Sequence, residues 1–277
     1  MSPLDNDQRA YTMKINDVTF KAAGEAGAGI ATIGGVFAKM MQRCGLCVFG
    51  ENDYPSLIRG GHNTMTIRAN KEQIYALDGK IDVLVALNKD GVLMHLEEME
   101  KGGIVIYDSS KVKEQDVKIE GEEIRLVGVP LTKIAADAGN QIYLNQVAMG
   151  ATVAVLGLGM AVLDGLIEET FSSKGKEIVA ANKKAAKDGY DFMRAQKGGE
   201  PALKIEPLKY SGNMLINGND AVCLGALKAG VRFVAEYPMS PSSSVLHWMA
   251  ANATEHDLVV KHTEDEIAAI NYVLGAG

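Results

Sequence analysis

Cysteine is scarce in this sequence: Cys44, Cys47 and Cys223 are the only three in 277 residues. So few thiols give a chain of this length no disulfide framework, and a reducing, cytoplasmic setting is expected. They also fall short of the thiolate sets that iron–sulfur clusters and closed zinc sites generally take, so no metal is expected on this chain. Cys44-Gly45-Leu46-Cys47 does form a C-x-x-C pair. Its second thiol falls at a strand start after a helix, the wrong polarity for a thioredoxin-like motif, and two core thiols are the simpler reading. Positive charge is also short, with 28 Lys and Arg against 35 Asp and Glu and a net charge of −7. Nucleic-acid affinity rests on clustered Lys and Arg, so that partner class is excluded. Long apolar runs are missing: Met149 to Leu163 comes closest, but glycines interrupt it and Asp164 closes it. No membrane span is expected. The polar N-terminus, MSPLDNDQRAYTMKIND, does not read as a secretory signal.

What is abundant is glycine, 30 against seven prolines, in a chain that is 47% hydrophobic. That balance fits many strand-to-helix turns around a real core, in one large domain or two ordinary ones. Val18 to Ala22 reads as a strand, Gly24-Glu25-Ala26-Gly27-Ala28-Gly29 as a glycine loop and Ile30 to Arg43 as a helix. A strand from Leu46 to Gly50 follows, with Glu51 and Asp53 at its end. Strand, glycine loop and helix let backbone N–H groups approach a phosphate. The spacing, however, is G-x-x-G-x-G rather than the dinucleotide pattern, and a tight turn for close helix–strand packing competes as a reading. Tyr54-Pro55-Ser56-Leu57-Ile58-Arg59-Gly60-Gly61-His62-Asn63 leads into an alternating strand, Thr64 to Arg68. Arg59 could clamp a phosphate or carboxylate. Strands are expected at Ile81 to Leu87, Gly103 to Tyr107 and Val127 to Leu131, with a helix over Gly91 to Met99. Thr132 to Ala138, Ile142 to Leu156, Met160 to Phe171 and Lys174 to Gln196 read as a helical layer.

The expected organisation is a domain over 1–200, a linker over 201–212 and a second, incomplete unit over 213–277. In that unit Met214 to Ile216 reads as a short strand and Ala221 to Ala229 as a helix. Val231 to Ala235 is a buried strand feeding Glu236-Tyr237-Pro238-Met239-Ser240-Pro241-Ser242-Ser243-Ser244. Ser240 suits a helix N-cap and Pro241 the first helical position. In open α/β sheets ligands settle at such a turn, outside the carboxyl end of a strand. A strand from Asp257 to Lys261 precedes Thr263-Glu264-Asp265-Glu266, a T-x-x-E capping box ahead of an apolar helix. Two strands alone leave too much unpaired edge, so either the polypeptide stops inside this domain or a partner completes it.

Tyr237-Pro238-Met239-Ser240-Pro241-Ser242-Ser243 resembles the Y-P-I-T-P-S-S signature of the alpha subunit of 2-oxoacid:ferredoxin oxidoreductases. Thr263 to Ala268 resembles the M-E-D-E-I-A stretch of the same family, and Tyr54 to Asn63 its Y-P-S-L-I-R-G-G-H-N. The fold class this implies is α/β: a gamma-type α/β domain fused ahead of the start of a thiamine-diphosphate pyrimidine-binding α/β domain. The implied activity is oxidative decarboxylation of a 2-oxoacid to an acyl-CoA, with electrons passed to ferredoxin. The motifs lean toward 2-oxoglutarate. The resemblance implies Glu266 and Ser240 as catalytic residues, and Tyr237, Pro238, Ser240 and Glu266 around the thiamine diphosphate. Ser240 stands where the family has Thr. Gly24, Gly27, Gly29, Arg59, His62 and Asn63 are the candidate coenzyme A or interface loop.

The resemblance further implies a beta subunit that carries Mg²⁺ and a [4Fe–4S] cluster and shares the thiamine diphosphate, with ferredoxin as electron acceptor. The assembly is expected to be a homodimer of alpha–beta units, and this polypeptide to be inactive alone. Two rival readings stay open: an NAD(P)-binding Rossmann dehydrogenase built on Gly24 to Gly29, and a non-catalytic scaffold subunit.

Overall fold

A computed structural model describes residues 13–55, 60–117, 124–196, 203–210 and 212–277. The chain divides into two units after Asn213.

The first unit is built on alternating strands joined through glycine turns and helices. In chain order it contains β1 (Lys14–Ile15), β2 (Asp17–Glu25), α1 (Ile30–Arg43), β3 (Cys47–Asp53), β4 (His62–Asn70) and β5 (Ile81–Ala86). Then come α2 (Lys89–Leu93), β6 (Met99–Asp108), β7 (Arg125–Val129), α3 (Leu131–Asp137), α4 (Leu144–Val155), α5 (Ala161–Phe171), α6 (Lys176–Ala195) and β8 (Leu203–Lys204). The six-stranded sheet runs β3-β4-β2-β5-β6-β7. Its β2, β5, β6 and β7 neighbours are parallel, whereas β4 is antiparallel to both β2 and β3. That inserted antiparallel strand overturns the Rossmann alternative. A dinucleotide fold makes its first two strands direct parallel neighbours around the glycine turn, and here β4 separates them.

Period two decides which side chains meet the helices. Val18, Phe20 and Ala22 of β2, Ile67 and Ala69 of β4, and Val83 and Val85 of β5 join α1 and α3 to α6 in the main core. Phe20 stacks on Phe37 of α1 with ring centroids 4.2 Å apart. The alternate residues Thr19, Lys21, Thr64, Thr66 and Arg68 therefore point to the other face. Within the helical layer α4 and α6 touch backbone to backbone. A carbon placed as Cβ on Gly150 would lie 1.8 Å from the Ala186 carbonyl oxygen, and one on Gly189 would lie 2.2 Å from that of Val147.

Three expectations need correction here. The helix expected over Gly91 to Met99 is only α2 and a 3-10 turn over Leu96–Glu98, because Met99 already opens β6. The stretch expected as a linker, 201–212, is tied into the first unit at several of its described residues. Leu203 and Ile205 are buried in its main core, and β8 pairs with β1. The amides of Ile205 and Leu208 donate to the carbonyls of Leu156 and Cys44 at 3.0 and 2.8 Å. Proline and glycine broke the periodicity without breaking the packing. Met214 to Ile216, expected as a strand, carries no regular structure.

The second unit contains α7 (Gly218–Lys228), β9 (Phe233–Glu236), α8 (Ser243–Ala251), β10 (Val259–His262) and α9 (Glu266–Ala276). β9 and β10 pair in parallel. Cys223, Met249 and Leu258 form its small core, with Val234, Val245 and Trp248 packed against it. Helix α9 buries none of its residues, and Ile267, Ile270 and Leu274 are all exposed. No helix among the described residues is long and apolar enough to cross a membrane.

Candidate functional site

In the second unit the sheet register brings two distant motifs to one edge. The β9–β10 ladder ends with Glu236 opposite His262. Ser240 lies four residues beyond Glu236, and Glu266 four beyond His262. Because the strands are parallel, both chains leave the sheet at the same end, so the Ser240 turn and the Glu266 helix start share the carboxyl edge. The Thr263 amide, donating to the Glu236 carbonyl at 3.1 Å, fastens the two exits together.

Each exit is held by contacts that the sequence pattern did not specify. Helix α8 starts at Ser243, so neither Ser240 as N-cap nor Pro241 as first helical residue is correct. The Ser242 hydroxyl bonds the Met239 carbonyl at 2.9 Å, and the Ser240–Pro241 peptide is cis. Asn219 of α7 reaches across to hold the turn, donating to the Pro241 carbonyl at 2.8 Å and to Ser244 Oγ at 2.6 Å. No motif marked Asn219; only packing of α7 beside the turn identifies it. The capping box is likewise not what forms. Asp265 is the N-cap of α9, its carboxylate accepting from the Ala268 amide at 2.6 Å. Thr263 is buried and donates to the Asp265 carbonyl at 3.1 Å. Glu266 is thereby left as the first helical residue, with its carboxylate exposed.

The edge is polar and unsatisfied. Neither the Ser240 hydroxyl nor the Glu266 carboxylate has a partner among the described residues, and one carboxylate oxygen of Glu236 is buried without one. Tyr237 is exposed and Pro238 half-buried. Burial pushes the Cys223 thiol up, and the carboxylates of Asp220 and Glu236 add to the effect. This thiol is therefore neutral rather than nucleophilic. Burial does the same to Cys44 in the first unit, but Cys47 at the start of β3 is only half-buried, so one of the two thiols expected in the core lies there and the other does not.

In the first unit the glycine loop and the Arg-Gly-Gly-His-Asn stretch also meet. Glu25 pairs with His62 and Gly24 with Asn63 across β2 and β4, and the Ala26 amide donates to the Gly61 carbonyl at 3.1 Å. Gly27 and Gly29 adopt φ of 86° and 81°, which L side chains rarely do. Gly29 has a second constraint, since a Cβ there would fall 2.2 Å from Nδ2 of Asn145 on α4. Gly24 lies inside β2, where the need is close packing against Ile30 and Leu87. Arg59 lies outside the described residues.

His62 is not a lone loop histidine. Its Nε2 lies 2.8 Å from Nε2 of buried His95, and His95 Nδ1 lies 2.7 Å from Glu98 Oε1. Lys21 ion-pairs with the other Glu98 oxygen. Desolvation by itself would raise the Glu98 carboxyl, but the hydrogen bonds from Lys21 and His95 outweigh it and hold it below the usual range. Desolvation, aided by His95 and Lys21, pushes His62 below its ordinary value against the pull of Asp90 and Asp53. His95 and Glu98 were not singled out in the sequence because neither belongs to a spaced motif. Among the described residues no cluster of His, Cys, Asp or Glu could hold a metal ion.

Comparison with known proteins agrees with this division. Residues 19–192 match the family described as pyruvate ferredoxin/flavodoxin oxidoreductase. Residues 224–277 match the thiamine diphosphate-binding family described as pyruvate flavodoxin/ferredoxin oxidoreductase. The chain is 25% identical to the alpha subunit of 2-oxoacid:ferredoxin oxidoreductase 2 of Aeropyrum pernix over 94% of its own length and 49% of that protein's. It is also 25% identical to the 2-oxoglutarate oxidoreductase subunit KorA of Mycobacterium tuberculosis, over 95% of this chain and 45% of the relative. Among solved structures it is similar to the 2-oxoglutarate:ferredoxin oxidoreductase of Magnetococcus marinus, determined with 2-oxoglutarate, coenzyme A and succinyl-CoA bound. The TM-score is 0.85 at 28% identity, covering 94% of this chain and 46% of that one. The chain thus spans about half the length of the relatives it matches.

Proposed function

This chain belongs to the pyruvate ferredoxin/flavodoxin oxidoreductase family, and from that premise we propose that it is part of a thiamine diphosphate-dependent 2-oxoacid:ferredoxin oxidoreductase that acts on 2-oxoglutarate. The reaction is oxidative decarboxylation to an acyl-CoA with electrons passed to ferredoxin. What carries the proposal is the common sheet edge: Ser240 and Glu266, from the two motifs, stand equally far past one pair of residues on adjacent parallel strands. Support for 2-oxoglutarate comes from the relative and the solved structure named for it.

The donor set fits the cofactor. A heteroaromatic ring with basic nitrogens is suited by an unpaired carboxyl group, and the edge presents Glu266 without a partner among the described residues. When bound, thiamine diphosphate supplies the carbanion-stabilising chemistry that breaks the bond between the carboxylate and the oxo carbon. Glu266 would hold a proton against a pyrimidine ring nitrogen, a role that suits a general acid–base group on a rigid helix start. Ser240 supplies a hydroxyl beside the reacting centre, and Tyr237 and Pro238 shape the wall.

The remaining components are proposed to lie elsewhere in the assembly. A beta subunit carries the Mg²⁺ and the [4Fe–4S] cluster, and alpha–beta units form a cytoplasmic homodimer. Co-producing the full-length alpha polypeptide with its beta subunit gives the test. The expected result is viologen reduction dependent on both 2-oxoglutarate and coenzyme A, abolished by Glu266→Gln with assembly intact. Turnover with pyruvate and none with 2-oxoglutarate would overturn the substrate. Loss of assembly in place of turnover would favour the scaffold reading, and activity of the 277-residue chain alone would refute the need for a beta subunit.

A further inference from the structure

The strand β2 carries Lys21 on the polar face of the sheet, opposite the helical core. There it meets Glu98 from the end of the 3-10 turn before β6. Glu98 and Lys21 also line a cleft of about 160 Å³, together with Thr19, Thr64, Thr66 and Lys80. One end of a hydrogen-bonded chain is therefore open to water. The chain runs inward from Glu98 Oε1 to His95 Nδ1, and from His95 Nε2 to His62 Nε2. The side chain of His95 is 8% exposed and that of Glu98 is 38% exposed. Nδ1 of His62 is buried with no partner.

Elementary hydrogen-bond accounting fixes the tautomers. A carboxylate oxygen 2.7 Å from an imidazole nitrogen needs a proton between them, so His95 carries its proton on Nδ1. The Lys21 ammonium, 3.5 Å from the same nitrogen, is too far to replace it as the main donor and is engaged by the other Glu98 oxygen. His95 Nε2 is then a lone pair. Two lone pairs cannot face each other at 2.8 Å, so His62 donates from Nε2. Its Nδ1 is in turn a bare acceptor, buried and unmatched.

We propose that Glu98, His95 and His62 form a proton relay that connects the polar cleft to the strand end bearing the glycine loop, with His62 Nδ1 as its inner terminus. A proton arriving at His62 Nδ1 makes that ring a cation, whose Nε2 proton passes to His95 Nε2. His95 then yields its Nδ1 proton to the Glu98 carboxylate, which releases it to water in the cleft. One proton enters, one leaves, and both imidazoles end with their tautomers exchanged. The same steps run backwards from the exchanged tautomers pass a proton from the cleft to His62 Nε2, release the proton on Nδ1 to the group at the inner end and restore the resting tautomers. Lys21 holds Glu98 ionised at rest. The other charges near His62 are Asp90 of α2 and Asp53 of β3, with Lys21 on β2. A ligand or partner group at the inner end would be one that exchanges a proton or alternates between donating and accepting.

Histidine-selective ¹⁵N NMR of the chain, assigned by single His→Gln replacements among its five histidines, tests the relay. At the upper end of a titration from about pH 8 to pH 5, His95 is expected as the Nδ1–H tautomer and His62 as the Nε2–H tautomer. On acidification the ¹⁵N shifts of both rings should move together in one step, with His62 Nδ1 gaining the proton. Glu98→Gln should move the joint step to lower pH, with a backbone amide spectrum confirming that the variant is folded. His62 found with its proton on Nδ1 at the upper end, or the two rings titrating independently, would overturn the relay. The wild-type titration decides this even if the variant does not fold.

Discussion

Glu236 and His262 face each other on the last rung of the β9–β10 ladder, and everything chemical in the second unit is measured from that rung. The parallel register puts Ser240 and Glu266 on one edge although 26 positions separate them in sequence (266 − 240). Because β9 and β10 are direct parallel neighbours, a slip of one residue would move every side chain to the other face and break the pairing of the two exits.

Ser240 provides a hydroxyl at the turn, in the place of the Thr of the Y-P-I-T-P-S-S signature that the stretch resembles. Ser240→Thr in the assembled enzyme should keep kcat within a few-fold, because the hydroxyl remains and the turn is solvent-exposed. Ser240→Ala should lower kcat by roughly tenfold or more if the hydroxyl stabilises the transition state, equivalent to about 1.4 kcal/mol. Steady-state rates with 2-oxoglutarate at saturating thiamine diphosphate measure both.

Asn219 bonds neither Ser240 nor Glu266, yet it fastens the turn through Pro241 and Ser244. Asn219→Ala should loosen the turn and weaken thiamine diphosphate binding several-fold with a smaller change in kcat, since each lost hydrogen bond is worth about 1 kcal/mol. Titrating the apo-enzyme with the cofactor and following activity separates the two effects.

Asp265 is the cap that fixes where α9 begins. Asp265→Asn should be tolerated, because Asn caps as well. Asp265→Ala should cost about 1 kcal/mol and blur the placement of Glu266, lowering activity along with stability. Chemical denaturation followed by circular dichroism, run beside the activity assay, checks the pairing of the two losses.

Gly150 and Gly189 allow α4 and α6 to meet backbone to backbone. Gly150→Ala or Gly189→Ala should destabilise the first unit by about 1–3 kcal/mol, the cost of overpacking a closed contact, although alanine is the better helix former. An unchanged melting temperature in either variant would show that the helices can separate without loss.

His62 sits below its ordinary value of 6.5, mainly because burial disfavours the cation. The unfolded chain therefore binds the proton more readily than the folded one, and the neutral ring's contribution to stability is complete above that value. It is lost as pH falls from 6.5 toward the folded-state value. His62→Gln should flatten this part of the stability–pH curve. Denaturation midpoints measured at several pH values in that window read the slope directly.

Much of the fold could be read in the chain because local patterns and global structure agree. The alternation in Val18 to Ala22 and the 3.6-residue period of Ile30 to Arg43 match β2 and α1. The positive φ of Gly27 and Gly29 also follows from residue type. The motif stretches around Ser240, Glu266 and His62 stood out because their residue types are unusual in sequence. Capping was less legible: Thr263, Asp265 and Ser240 are all competent caps, and only the path of the chain out of β9 and β10 selects among them.

Amino-acid order alone determined most of the parts: it marked most of the segments that become strands and helices, and it carried the motifs whose family resemblance points to thiamine chemistry. Tertiary structure decided what meets what. The insertion of β4 between β2 and β3, the tie of Asn219 to Pro241, and the contact of His62 with His95 depend on sheet register and helix packing, which are set by non-local burial. No window of sequence contains both partners of such a contact, so only the folded chain could show that an isolated histidine has a neighbour.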